Sequence, residues 1–417
     1  MKILLVTSGY PPERLGGAGF YVKYLAEELS KRHEVHLFIP SKRGDEWVEG
    51  SIHVHAVRPV KSYLSAVLIE RTYRNPEIEK KFKELVECLK PDVVHFHNLW
   101  AFRTAFLPVI AKEAGSATVQ TLHDYWFICP INIMSYKKQR PCEGPSPEKC
   151  STCWNHVISE YLEQRKIPRL LFDGILKIFN RPNGFELRLR TLIEILNSMD
   201  AIIAPSKFLR NMFVKAGVDD SRLYHIPNGY PHEIFKGFQK NKDTNKLVFG
   251  FVGVPSYQKG THVAVKAVRA IKGGDFEFRI YGGGGRREYL SELMKLSRGD
   301  DRIRFMGKFD SVVEPYSKID VLLFPSLWYE NCPLVLAEAS LTGTPVIASN
   351  LGAIPEFVHP GINGFLFTPG SWEELSHLMK GFIENPELVD KLSNPAFVPD
   401  DMPEHAKKIL KLYESLM

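Results

Sequence analysis

The chain has 417 residues, 44% of them apolar and 24% charged, with a formal net charge of +6. That length exceeds what one hydrophobic core ordinarily serves, so two domains are expected, and the apolar content leaves ample core for both. The mild basic excess is dispersed, which argues against nucleic acid as a partner, and no apolar run approaches membrane-spanning length. The opening apolar run, Ile3 to Val6, is too short for a signal peptide, so a cytoplasmic protein with reduced thiols is expected.

In chain order, Lys2 to Thr7 reads as a strand. A loop through Pro11-Pro12 to Gly16-Gly17-Ala18-Gly19 follows, then a helix with Phe20, Tyr21, Tyr24, Leu25 and Leu29 on one side, then a strand from His33 to Ile39. Strand, glycine loop, helix and strand open a doubly wound domain. The glycines fit a tight turn needing positive φ equally well as a close backbone approach to a ligand. Asp92 to Phe96 and Thr118 to Leu122 are further strands. His95 and His97 lie on the first and His123-Asp124 follows the second, where such domains expose ligand sites. The ordinary role of such a histidine is a structural hydrogen bond.

Between 125 and 199 the spacing of strand signals is too long for a plain connection, which marks an insertion. It holds Cys129, Cys142, Cys150 and Cys153, four of the six cysteines. The two-residue gap between Cys150 and Cys153 suits one tetrahedral metal, so the cysteines read either as a structural zinc site or as a set of buried thiols. From Arg165 to Arg181 apolar residues alternate with mostly basic ones. This composition suits either peripheral contact with an anionic membrane at the inner face or an insertion packed on its own domain.

Asp200-Ala201-Ile202-Ile203-Ala204-Pro205-Ser206 echoes Asp320-Val321-Leu322-Leu323-Phe324-Pro325-Ser326, as if two domains were built alike. The polar run from Lys236 to Lys246 has linker composition, which sets the expected division: 1–235, 236–400, and a final helix in 401–417 crossing back to the first domain. A ligand cleft between the domains is expected. In the second half, Leu247 to Val252 leads into Gly253-Val254-Pro255-Ser256-Tyr257-Gln258-Lys259-Gly260, and Ile303 to Met306 ends in Gly307. After the strand Val321–Phe324, a loop carries Glu330 to a helix expected to be capped by Asn331 and to start at Pro333. That start would leave the amides of Leu334 and Val335 open to an anion. Glu330 and Glu338 then flank the anion site and can reach hydroxyls on either side of a bound phosphate.

This stretch resembles the Glu-x7-Glu signature of the retaining glycosyltransferases of family 4, whose GT-B fold has two Rossmann-like doubly wound parallel-sheet domains. The resemblance implies that Glu330 contacts the donor sugar, Glu338 the ribose, Lys259 the diphosphate, His123 the sugar, the backbone at Gly307 the base, and Gly17 the donor or acceptor. It also implies an Arg where this chain has Val254, for which Arg286, Arg287 or a residue of the first domain would substitute. The implied reaction moves a sugar from a nucleoside-diphosphate sugar to a glycan or lipid-linked acceptor with retention. No Asp-x-Asp triplet occurs, so no catalytic cofactor is expected. The alternatives are a sugar-nucleotide epimerase on the same fold and a lapsed transferase that only binds the nucleotide sugar.

Overall fold

The computed structural model of the chain describes residues 1–11, 16–58, 68–138, 140–164, 174, 176 and 178–417. They divide into two compact units, Met1–Gly229 with Asp400–Met417, and Tyr230–Pro399. The boundary falls at Gly229/Tyr230 rather than 235/236, because residues after Gly229 already pack within the second unit. The Tyr230 hydroxyl donates to Glu338 at 3.1 Å, and Phe235 meets Tyr316 edge to face. Most of the basic and apolar stretch from Arg165 to Arg181 lies outside the described residues. No helix among those described is long and apolar enough to cross a membrane.

The first unit holds an eight-stranded sheet. Its strands are β1 (Lys2–Thr7), β2 (Glu34–Pro40), β3 (Glu46–Glu49), β4 (Ile52–Val57), β5 (Val93–Asn98), β6 (Ala117–Thr121), β9 (Ala201–Ala204) and β10 (Leu223–His225), ordered β10-β9-β6-β5-β1-β2-β4-β3. β7 (Ser135–Tyr136) and β8 (Arg140–Pro141) form a separate hairpin in the insertion. All pairs in the large sheet are parallel except β3 with β4. In the second unit β11 (Leu247–Val252), β12 (Phe276–Tyr281), β13 (Ile303–Gly307), β14 (Val321–Phe324), β15 (Val346–Ser349) and β16 (Gly364–Phe367) pair in parallel, in the order β13-β12-β11-β14-β15-β16. Near-continuous apolar runs suit parallel strands, because helices cover both faces.

Strand order reverses between β1 and β5 in one unit and between β11 and β14 in the other. Loops leaving the carboxyl ends at such a switch point form the ligand crevice of doubly wound sheets. The repeated acid at the head of a strand has one recurring job. Asp92 accepts the Lys2 amide at 2.6 Å, Asp200 the Thr118 amide at 2.8 Å and Asp320 the Val248 amide at 2.8 Å. Each carboxylate thus satisfies an amide at the entry of the adjoining parallel strand and fixes where that strand begins.

The last helix, Met402–Glu414, completes the core of the first unit, with Met402, Ala406, Ile409 and Tyr413 packed among Ile3, Leu5, Tyr21 and Leu25. Buried polar contacts accompany this packing. The Tyr413 hydroxyl lies 2.6 Å from Nδ1 of His95, Nε2 of His95 lies 2.7 Å from Thr121 Oγ1, and Nε2 of His405 lies 2.8 Å from the Tyr21 hydroxyl. Burial lowers His95 and His97 well below the ordinary imidazole value and His405 to about 4. An unfolded histidine takes its proton near pH 6.5, so these residues contribute full stability above that pH. Their contribution falls as the pH drops from 6.5 toward 4, because only the unfolded chain is protonated in that window. The thermal midpoint of the first unit should therefore fall between pH 7 and pH 5, and His405→Gln should flatten the slope. Equal slopes for the two proteins would count against this account.

Candidate active site

The loops that leave β11 and β14 meet at the switch point of the second unit. Gly260, with φ of 66°, sits where a Cβ would lie 1.8 Å from the Pro325 carbonyl oxygen. Only glycine allows both that backbone conformation and that approach. The Leu327 amide then donates to the Gln258 carbonyl at 2.8 Å and ties the loops together. As a result the Lys259 ammonium reaches Oε1 of Glu330 at 2.7 Å. The same oxygen accepts from the Ser326 hydroxyl at 2.9 Å and the Trp328 indole N–H at 2.6 Å. Glu330 is buried and the Lys259 side chain partly exposed, with its ammonium 5.3 Å from the centre of the Trp328 ring. A carboxylate taken from water needs such compensation, and three charge-assisted bonds provide it.

The helix that follows is Leu334–Leu341, and no side chain caps it. Pro333 takes the cap position with extended backbone, φ −72° and ψ 119°, so Asn331 is not the cap and Pro333 is not the first helical residue. Pro333 itself is extended, so the helix begins one residue later, at Leu334. Leu334 and Val335, both half-buried, supply the first helical amides.

Glu338, eight residues beyond Glu330, is buried between two phenols. Tyr230 donates to Oε1 at 3.1 Å, and the Tyr316 hydroxyl lies 3.0 Å from Oε2 and 2.9 Å from the Val335 carbonyl. Tyr316 has one proton for two acceptors, which is resolved when Glu338 carries a proton of its own. Burial raises the carboxyl to about 7, while the two tyrosines act in the opposite direction. Gly307 ends β13 with φ of 79° in open space, and its carbonyl accepts the Gly282 amide at 2.7 Å. Val254 is exposed, and a Cβ on Gly285 would lie 3.7 Å from it, which places the exposed Arg286 next to the position of the missing arginine.

The other residues singled out by sequence lie in the first unit. Gly17 is exposed at the start of the helix Gly17–Leu29, after the undescribed residues 12–15. His123 is half-buried. Its Nε2 lies 3.1 Å from Nδ1 of His97, its ring centre is 5.0 Å from that of Tyr21, and desolvation lowers it to about 3, so the imidazole is neutral at physiological pH. Asp124 accepts from the Trp126 amide at 2.8 Å and from Asn98 at 3.3 Å, and burial raises it to about 6.

Two family models together span most of the chain. That of Glycosyltransferase Family 4 matches residues 15–234, and that of Glycosyl transferases group 1 matches 233–397. The chain belongs to the group 1 glycosyltransferases. An uncharacterized glycosyltransferase of Methanocaldococcus jannaschii is 25% identical to it over 381 residues, covering 88% of this chain and 85% of the relative. The N-acetyl-alpha-D-glucosaminyl L-malate synthase of Bacillus anthracis is 23% identical, covering 100% and 97%. Among solved structures, Anabaena HepE in complex with UDP and glucose matches all of both chains with a TM-score of 0.70 at 19% identity, which gives this glycosyltransferase the GT-B fold.

Sequence reasoning missed Ser326 and Trp328 as partners of Glu330, although both lie in the stretch it singled out. It also missed Tyr230 and Tyr316, whose distance from Glu338 in sequence gives no local signal. Two outcomes follow for this glycosyltransferase. Gly260→Ala should destabilise the second unit by about 1–3 kcal/mol through strain at a positive φ, seen as a lowered urea midpoint; an unchanged midpoint would contradict the contact with Pro325. A carboxyl raised from 4.5 to about 7 stabilises below pH 4.5 and loses that contribution as the pH rises through 7. The Glu338→Gln variant should therefore gain on the parent in thermal midpoint between pH 5 and pH 8. Parallel curves would show that Glu338 is ionised throughout.

Proposed function

We propose that this glycosyltransferase moves a sugar from a nucleoside diphosphate sugar to a hydroxyl of a glycan or lipid-linked saccharide, with retained anomeric configuration and no divalent cation. The observation that carries the reading is the Lys259–Glu330 pair, 2.7 Å long, which joins the loop after β11 to the loop that leads to an uncapped helix start. An anion at that start would draw the Lys259 ammonium toward it, while Ser326 and Trp328 keep Glu330 in place. All three donors reach Oε1, which leaves Oε2 as the acceptor for a sugar hydroxyl. The nucleotide in the HepE complex supports a nucleotide donor here.

In this reading the bond between the anomeric carbon and the diphosphate breaks, and the acceptor oxygen bonds to that carbon on the same face. The acceptor's proton passes to the departing phosphate oxygen. Charge grows on the diphosphate, so the main demand is electrostatic, and Lys259 with the amides of Leu334 and Val335 meets it. Glu330 orients the sugar and Glu338 the ribose, His123 meets the sugar as a neutral donor, and the backbone at Gly307 meets the base. Gly17 stands where the first unit's glycine loop would meet donor or acceptor.

Val254 favours a second reading, a nucleotide-sugar binder without turnover. Calorimetry with UDP, GDP and ADP, followed by nucleotide release from the matching sugar donors, separates the two. Lys259→Ala should weaken nucleotide diphosphate binding about 10- to 100-fold. The exposed Arg286, changed to Ala, should weaken it by a factor of about two to five. Binding without release in the presence of acceptor extracts would favour the lapsed transferase, and binding indifferent to Lys259 would remove the site assignment.

A further inference from the structure

The insertion of the first unit contains a second construction that sugar transfer does not use. Cys129, Cys142, Cys150 and Cys153 all line one small cavity of about 20 Å³, room for a single body the size of a water molecule. All four are free thiols. Cys129 precedes the β7–β8 hairpin and Cys142 follows it directly. Cys150 and Cys153 are three apart in the helix Pro147–Glu163, which Ser146 caps, and so share one of its faces.

The loop that carries the first two thiols is bent toward them at a cost. Asn132, Met134, Lys137 and Lys138 all have positive φ, between 43° and 65°. Left-handed backbone at non-glycine residues persists only where the surroundings hold it. Here it aims amides at sulfur. The Lys137 N–H donates to Cys153 Sγ at 3.1 Å, and the amides of Ile131 and Met134 bond to the sulfur of Cys129.

An independent observation is the charge of Arg188. It is 1% exposed, donates to the Trp126 carbonyl at 2.6 Å, and has no hydrogen-bond partner at Nε. Among the described residues no carboxylate pairs with it. The anion-forming groups nearest it electrostatically are Cys129, Cys150 and Tyr73. A buried guanidinium without a counter-charge is expensive, and four thiolates around a divalent ion carry the opposite sign.

We propose that Cys129, Cys142, Cys150 and Cys153 bind one zinc ion as a structural tetrathiolate centre, its charge balanced by Arg188 and by Lys149, which lines the same cavity. Four S–H bonds release their protons, four Zn–S bonds form, the centre carries a charge of −2, and no electron moves. Among the described residues no three such side chains already converge on a metal position. Cys142 Sγ is turned to the Gly144 carbonyl at 3.4 Å and Cys153 Sγ to the Ser135 carbonyl at 3.9 Å, so both sulfurs must swing inward to reach the ion. The centre would also hold Pro130, Ile131 and Trp154, which with Trp100 and Trp126 line a neighbouring cavity of about 260 Å³.

The test is metal analysis of the full chain purified without chelator, together with cobalt exchange and thiol titration. Expected are about one zinc per chain, visible ligand-field bands of tetrahedral cobalt thiolate after exchange, and zinc release when a mercurial consumes four thiols. Cys150→Ser and Cys153→Ser should each abolish the cobalt bands, while Cys88→Ser, at an exposed position, should keep them. Should a cysteine variant fail to fold, the mercurial titration of the parent chain still decides. A parent chain that takes up neither zinc nor cobalt, or whose cobalt spectrum survives both cysteine changes, overturns the proposal.

Discussion

A lysine and a glutamate held 2.7 Å apart at the carboxyl ends of β11 and β14 are the constraint on which the functional reading depends. The glutamate is buried and needs donors for its carboxylate, and the lysine sits on a loop that would otherwise let it wander. Each solves the other's problem, and Gly260 permits the contact by letting its backbone approach Pro325. Three donors converge on one carboxylate oxygen while the other is left over. In the proposed reaction Ser326 and Trp328 keep Glu330 in place when the ammonium turns to a phosphate.

The two units apply one construction rule to different ends. Asp200 and Asp320 each open a strand by holding the amide of its parallel neighbour, and each strand closes with Pro-Ser. After that the paths part. Ser206 caps the helix Lys207–Lys215, a purely local task. Ser326 instead turns its hydroxyl to Glu330, four residues on, and the next helix is left without a side-chain cap. The same sequence element thus starts a helix in one unit and holds a buried glutamate in the other, and the difference is what the serine hydroxyl finds within reach.

Buried polar groups of the first unit form a parallel case. Tyr413 joins the last helix to the sheet through His95, and His405 joins it to the helix Gly17–Leu29 through Tyr21. Hydrophobic packing supplies the attachment, and the polar contacts fix its register. Arg188 is the exception, a buried cation without an acidic partner, and its neighbours are the cysteines of the insertion.

The sequence by itself determined the fold class and the switch-point loops, and it singled out Lys259, Glu330, Glu338 and the four cysteines, because each is written in local pattern or short spacing. Parallel strands betray themselves by apolar runs, and helix starts by proline. What only the tertiary structure decided is which of these meet. Tyr230 and Tyr316 reach Glu338 across 108 and 22 residues of chain, and Lys259 reaches Glu330 across 71. It also decided that the chain joins the second unit at Tyr230, and that Pro333 caps the helix where Asn331 was expected. Burial, and with it the protonation of Glu338 and His123, comes from packing summed over distant segments, and no short stretch of sequence carries that sum.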